Sequence, residues 1–279
     1  MTLAIPSRSA LSARSALSAA EMRGPVAETA DLLAELKRDI QGEVRFDAYS
    51  RMLYSTDASL YQIQPIGVVL PKHAEDIQAA MQIAARHGIP VLPRGGGSSL
   101  AGQAVGAALV IDTSKYMDRV LGIDAEARTV RVQPGMTVGA LNKTLGGLGL
   151  MLGPDPASAE RATIGGSIGN NATGSHSILY GMMADNVLET AVVLADGSTA
   201  RFGPVAPENL AALGRGDSLE SRIYRELPAL ISGVTEQIVA RWPKHWRRAS
   251  GYNLDRLAAG LGTGDWGTGN GNPFHLPVS

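Results

Sequence analysis

A mixed α+β fold, with a small strand–helix–strand unit joined to a larger and more antiparallel part, is predicted by three features of this 279-residue sequence. Apolar residues recur at helical spacing in some stretches and form short β-branched runs in others. Glycine is concentrated in two places, PRGGGSSLAGQ at 93–103 and IGGSIGNNATGS at 164–175. The first of these follows directly on a predicted strand, which is where α/β units carry their ligand loops.

Taken in order, residues 1–24 are rich in Ser, Ala and Arg, and the near-repeat SRSALSARSALSA reads as low complexity. A disordered leader is expected there, although transit peptides share the composition. A helical lead-in spans 25–60. Within it Val26, Leu32, Leu33, Leu36 and Ile40 share one helical face. IGVVL at 66–70 is a short buried strand entering at Pro65. The following AEDIQAAMQIAARHG carries Ile77, Ala80, Met81, Ala84 and Ala85 on one stripe, with Gly88 and Pro90 as stop signals. IPVLP at 89–93 is the next strand and delivers the chain into the first glycine loop.

Beyond that loop, ALVID at 108–112 and TVRVQ at 129–133 read as strands. Thr137 is placed to cap a short helix through Leu145, which a run of glycines ends. NVLETAVVL at 186–194, an ADG turn and STARF at 198–202 read as a β-hairpin. Leu219, Ile223, Leu227, Leu230, Ile231, Val234 and Ile238 predict one helix over 217–241 despite Pro228. The glycine- and asparagine-rich 262–279 has no periodicity and reads as a disordered tail.

Composition narrows the function. A 44% apolar fraction with 18% charged residues describes an ordinary globule, and no apolar run is long enough to span a bilayer. A net charge of −1 gives no electrostatic reason for nucleic acid as a partner. With no cysteine, the chain itself holds no disulfide, thiolate nucleophile or cysteine-ligated iron–sulfur cluster. No metal site is expected.

The glycine stretches point to a phosphate-bearing ligand. Gly95, Gly96 and Gly97 lack Cβ atoms, so the backbone can aim successive N–H groups at one point. Ser98, Ser99, Thr163, Asn170 and Asn171 add short polar groups. Two such loops suggest two walls of a nucleotide cleft. No Walker string occurs, and the Rossmann fingerprint fails because GGGSSLAG leads into a strand rather than a helix.

PRGGGSSLAGQ, PDPASAERATIGGSIGNNATG, VLETAVVLADGS and RRASGYNLD, in that order, resemble the flavin-binding domain of the vanillyl-alcohol-oxidase/PCMH family. Within it the chain is most similar to FAD-linked 2-hydroxy-acid dehydrogenases acting on D-lactate, glycolate or D-2-hydroxyglutarate. The lead-in GEVRFDAYSRMLYSTDASLYQIQPIGVVLP belongs to the resemblance, which runs from about 42 to 258. It implies a PCMH-type FAD-binding fold over 61–243 and a cytoplasmic or membrane-peripheral oxidoreductase. By resemblance, Arg94, Gly95, Gly96, Gly97, Ser98 and Ser99 wrap the FAD pyrophosphate. Pro154, Asp155, Thr163, Gly165, Gly166, Gly169, Asn170, Asn171, Gly174 and Ser175 lie along the adenosine and the inner flavin edge.

Several readings stay open. Arg94 adds charge at the phosphate or is a paired surface arginine. Asp155 is a ligand or part of a Pro-Asp-Pro turn. His176 is a weak catalytic candidate and otherwise structural, and Tyr180, Tyr252 and Asn253 are equally ambiguous. No histidine lies in 93–103, so FAD should be held noncovalently. In the family a Gly-Ser/Thr-Glu-Gly-Thr-Leu-Gly type strand and a cap domain follow the SGYNLD segment; here 244–261 reads as the start of that connection. The expectation is the flavin-binding part of a larger oxidoreductase, either truncated or completed by a second polypeptide that carries the cap or an iron–sulfur module. The alternatives are a non-catalytic FAD-binding subunit and a flavoenzyme resembling UDP-N-acetylenolpyruvoylglucosamine reductase.

Overall fold

The computed structural model describes residues 26–245, 247, 252–262 and 274–275. The expected leader, 1–24, lies outside them.

Helix α1, Val26–Asp39, leads into strand β1, Glu43–Arg45, and the short helix α2, Ala48–Leu53. Strand β2, Gly67–Leu70, helix α3, Ala74–Arg86, strand β3, Val91–Arg94, and strand β4, Leu109–Asp112, complete a four-stranded sheet. The sheet order is β1-β2-β4-β3, with β1 antiparallel and the other three strands parallel. Both faces are covered, which is why β2 and β4 read as continuous apolar runs rather than alternating ones. On one face Leu32, Leu36 and Ile40 of the α1 segment and Ala80, Ile83 and Ala84 of α3 pack on Val69, Leu109 and Ile111. On the other, Val68, Leu70 and Val110 lie beneath Tyr54, Leu92 and Tyr116. Each large side chain buried here contributes about 1.5–3 kcal/mol.

Neighbouring parallel strands need a crossover of a dozen or more residues, usually a helix. Between β3 and β4 that crossover is the first glycine stretch, so the loop is built into the sheet's topology. The lead-in is tied to the same sheet by charge. The Glu43 carboxylate bonds Arg45, Lys115 and Tyr116, and the Lys115 and Tyr116 bonds hold its pKa down to about 2 from the ordinary 4.5. A depressed carboxylate stabilises the fold fully above its unfolded pKa and loses that contribution as pH falls through the folded one. The difference in urea midpoint between wild type and Glu43→Gln should therefore be constant above about pH 4.5 and shrink towards pH 2. A difference independent of pH would contradict this.

The rest of the chain is less regular than the expected larger sheet. Strands β5, Val120–Asp124, and β6, Thr129–Val132, form an antiparallel ribbon over helix α4, Val138–Gly146. Thr137 caps α4 as expected, accepting from the Ala140 N–H. Short helices α5, Ile164–Gly169, and α6, Ser177–Tyr180, follow. A second ribbon pairs β7, Thr190–Val193, with β8, Thr199–Phe202, across the expected ADG turn; the hairpin's first strand is shorter than predicted, with Asn186 closing a 3-10 turn that starts at Met183. Among the described residues these ribbons stay separate two-stranded sheets, with helices packed on their inner faces.

The hairpin packs against α7, Pro207–Leu213, α8, Leu219–Gly233, α9, Thr235–Arg241, and α10, Leu254–Gly260. The single helix expected over 217–241 breaks at Val234, whose φ of −125° leaves the helical range, and not at Pro228. Within 244–261, read as the start of the connection to a cap, helix α10 packs on the same core. Leu257 and Ala258 of α10 are buried with Phe202 and Tyr224. The tail read as disordered pairs Phe274–His275 antiparallel with Pro204–Val205; its remainder lies outside the described residues apart from Gly262. Among the described residues no helix is long and apolar enough to cross a membrane.

Candidate functional site: a cleft between two glycine segments

The glycine loop leaves β3 at its carboxyl end and lies against the second glycine segment. Gly96 is there because of space: a Cβ would sit 2.0 Å from the Arg161 carbonyl oxygen. Gly97 is there because of conformation, with φ at +62°. Gly95 faces Thr163, whose hydroxyl would lie 2.0 Å from a Cβ. The N–H groups of Gly95, Gly96, Gly97 and Ser98 donate to no acceptor among the described residues. Four consecutive unbonded amides next to a cleft suit an anion such as a diphosphate.

Arg94 belongs to the loop but its guanidinium points back into the protein. Nη1 donates to the Tyr54 and Ala104 carbonyls at 3.2 and 2.8 Å, and Nη2 to the Thr56 carbonyl at 2.8 Å. The same group stacks 5.1 Å from the Tyr54 ring centroid. Ser99 bonds Gln103, whose amide reaches the Asn170 Oδ1 at 3.1 Å and so links the two glycine segments.

The second segment is not the open loop its composition predicts. Thr163, almost fully buried, accepts from the Gly166 N–H and caps α5. Ile164 N–H donates to Met136 and Gly165 N–H to Pro134. The first-turn amides of α5 are thus taken, and this segment supplies a wall rather than donors to a phosphate. Asn171 sits at φ +45° and accepts from the Ala184 N–H, which turns its carbonyl inward.

Asp155 is part of the Pro-Asp-Pro turn and ties it to the second segment. Its backbone oxygen accepts from Ser175 N–H, while its carboxylate meets the Ser175 hydroxyl at 3.3 Å and the His176 Nδ1 at 3.2 Å. The Pro154-Asp155-Pro156 turn is therefore stapled to 174–176, and a Cβ on Gly174 would lie 1.7 Å from the Asp155 oxygen. His176 is half exposed and stacks edge-on to Tyr180. Tyr252 is exposed, whereas Asn253 is buried at the start of α10.

Two cavities flank the contact between the segments. One, about 340 Å³, is lined by Tyr54, Arg94, Gly95, Gly96, Asp112 and Thr163, among others. The other, about 470 Å³, is lined by Asp155, Pro156, Thr173, Gly174, Ser175 and Arg247, among others. Glu160 lines both, so the two lie next to each other, and each is of small-ligand size. In the first, the buried Asp112 carboxylate accepts from the Tyr54 hydroxyl at 2.6 Å and the Ser114 N–H at 2.8 Å. Burial, then that bond, push the Tyr54 phenol well above its ordinary pKa. In the second, Arg247 donates twice to the Thr173 hydroxyl. Gly169 has nothing within 4 Å of where a Cβ would stand.

Sequence reasoning missed Tyr54, Asp112, Glu160, Arg161 and Arg247 as lining residues. Tyr54, Glu160, Arg161 and Arg247 carried a signal, since all four fall inside the motifs that carry the resemblance, whereas Asp112 does not. Among the described residues no group of three or more His, Cys, Asp or Glu is placed to hold a metal ion.

The geometry agrees with known proteins. An FAD binding domain family model matches residues 65–203. D-2-hydroxyglutarate dehydrogenase of Escherichia coli (strain K12) is 32% identical over 235 residues, which are 83% of this chain and 23% of that protein. Glycolate oxidase subunit GlcD of Bacillus subtilis (strain 168) is 34% identical over 212 residues, 74% of this chain and 43% of the relative. The solved structure of an alkyldihydroxyacetonephosphate synthase superposes with a TM-score of 0.56 at 26% identity, over 61% of this chain and 34% of that one. The chain spans less than half the length of either relative.

Proposed function

The chain belongs to the FAD binding domain family, and on that premise we propose that it is the flavin-holding part of an oxidoreductase that oxidises a 2-hydroxy acid. The observation that carries this is the row of unbonded amides at Gly95–Ser98, set in a family match that spans both glycine segments. These amides bind the FAD pyrophosphate, at about 1.5–3 kcal/mol for each bond to the charged group. The wall formed by Thr163, Gly165, Gly166, Gly169, Asn170, Asn171, Gly174 and Ser175 runs along the rest of the cofactor, with Pro154 and Asp155 behind it. Bound FAD supplies the acceptor for the hydride that leaves the CH–OH carbon. The chain's own share is to position the cofactor and to shield it from water.

His176 meets the carboxylate of Asp155, a residue that lines the second cavity, which keeps it a candidate but not an assigned base. The substrate class follows the relatives, a D-2-hydroxyglutarate dehydrogenase and a glycolate oxidase subunit. A partner polypeptide carrying the cap or an iron–sulfur module is part of the proposal, supported by the relative that is a glycolate oxidase subunit. We place the assembly in the cytoplasm.

Purified chain should be yellow, and acid precipitation should release all the colour, because 93–103 offers no histidine or cysteine for a covalent link. Anaerobic D-lactate, glycolate or D-2-hydroxyglutarate should bleach the flavin negligibly in the lone chain. Adding the polypeptide that supplies the relatives' remaining length should restore turnover. Failure to take up FAD rejects the reading. Rapid bleaching in the lone chain would place the catalytic groups within these residues.

A further inference from the structure

We propose that Arg94 is a positioning residue and not a phosphate ligand: it straps the glycine loop to residues 54–58, so that the lead-in, outside the 65–203 family match, sets the chain's affinity for FAD. The loop is held at three points. At its entrance the Arg94 fork gathers the carbonyls of Tyr54 and Thr56, and also that of Ala104 at the loop's exit. In its middle the Ala58 N–H donates to the Gly97 carbonyl at 3.0 Å. At its exit the Ala104 N–H donates to the Asp57 carboxylate at 3.3 Å, which also caps Ser59 at 2.8 Å.

The planar guanidinium is what makes the strap possible. Both Nη1 protons are committed to carbonyls on separate segments while the plane stacks on Tyr54, a set of contacts an ammonium cannot reproduce. Tyr54 is in turn fixed to β4 through Asp112. Gly97 completes the fit, since a Cβ there would come within 2.6 Å of the Arg94 Nη2. With its carbonyl turned onto the lead-in, the loop has its amides left over for the ligand.

The inference rests on the FAD reading, and the test separates the two. FAD affinity would be measured by titration of apo-chain, with the thermal midpoint of each apo-variant recorded beside it. Arg94→Met and Arg94→Lys should each weaken binding roughly 10–100-fold, since the loss is of ordered amides rather than of charge. Asp57→Ala lies outside both cavities and removes a negative charge. Electrostatics alone would tighten FAD binding there, whereas loss of the strap weakens it by roughly tenfold. Combined with Arg94→Met it should cost little more than Arg94→Met alone, because both undo one device.

Retained affinity in Arg94→Lys, tighter or unchanged binding in Asp57→Ala, or effects that simply multiply would overturn the strap. Should Arg94→Met fail to fold, the sign of the Asp57→Ala effect decides on its own. A wild-type chain that takes up no FAD overturns the strap and the FAD reading together.

Discussion

Replacing Gly96 by valine should leave a folded chain that no longer retains flavin. The backbone at Gly96 presses on the second segment so closely that a Cβ would lie 2.0 Å from the Arg161 carbonyl oxygen and 2.9 Å from its carbon. Neither partner can yield cheaply. The Arg161 backbone is held by its N–H bond to Ser158, and the loop by the Ala58 bond to Gly97 and the Thr113 bond to Arg94. The branched side chain therefore forces the loop off the wall, at about 1–3 kcal/mol or more. That displacement turns the unbonded amides away from their common target. Loss of two bonds to a charged phosphate weakens binding by roughly a hundredfold or more. The sheet beneath is anchored by Leu36, Val69 and Leu109, in a core cluster that contains no residue of the loop, so the circular dichroism should stay native. Unchanged FAD affinity in Gly96→Val would remove the loop from the site. The effect is steric and not conformational, because the positive φ in this loop belongs to Gly97.

Elements whose pattern is written by burial were legible in the sequence. Leu32, Leu36 and Ile40 repeat at helical spacing because one face of α1 must meet the sheet, and Thr137 announces α4 because a hydroxyl there satisfies an orphan amide. The parallel strands β2 and β4 were legible for the same reason, since burial on both faces leaves mostly apolar positions, with Asp112 at the end of β4 the exception. Helix α5 was not. Its sequence, IGGSIG, has three glycines in six residues and poor intrinsic helicity, so the helix exists only through tertiary bonds to Met136 and Pro134 and the Thr163 cap. The break at Val234 was hidden because the apolar stripe continues across it into the same core.

The site was legible as two glycine segments but not as a division of labour. Composition treats both as backbone donors. Only the hydrogen bonds show that the Gly95–Ser98 amides of the first find no acceptor among the described residues while the second has used its own at the start of α5. The role of Arg94 was equally hidden, because its partners are carbonyl oxygens 10 to 40 residues away, and any residue type can supply a carbonyl.

Two alanine substitutions in the second segment should separate glycines kept for the protein from glycines kept for the ligand. At Gly174 a Cβ would stand 1.7 Å from the Asp155 oxygen and 2.5 Å from the Pro156 nitrogen. Gly174→Ala must push the Pro154–Pro156 turn off 174–176, breaking the Ser175 amide bond and the His176 contact with Asp155. Overpacking of this kind costs about 1–3 kcal/mol, so the apo-chain should melt several degrees lower and FAD binding should fall with it. At Gly169, the last residue of α5, a Cβ would meet no protein atom within 4 Å and φ is not positive. Gly169→Ala should raise apo-stability slightly, by about 0.4–1 kcal/mol, through the loss of unfolded-chain entropy. Its methyl group nevertheless enters the space assigned to the cofactor, so FAD affinity should drop while the melting temperature rises. Thermal midpoints of the two apo-variants and their FAD dissociation constants read both effects. Opposite movements in Gly169→Ala against parallel ones in Gly174→Ala support the assigned path of the ligand. A Gly169→Ala chain that binds FAD as tightly as wild type takes Gly169 out of the site.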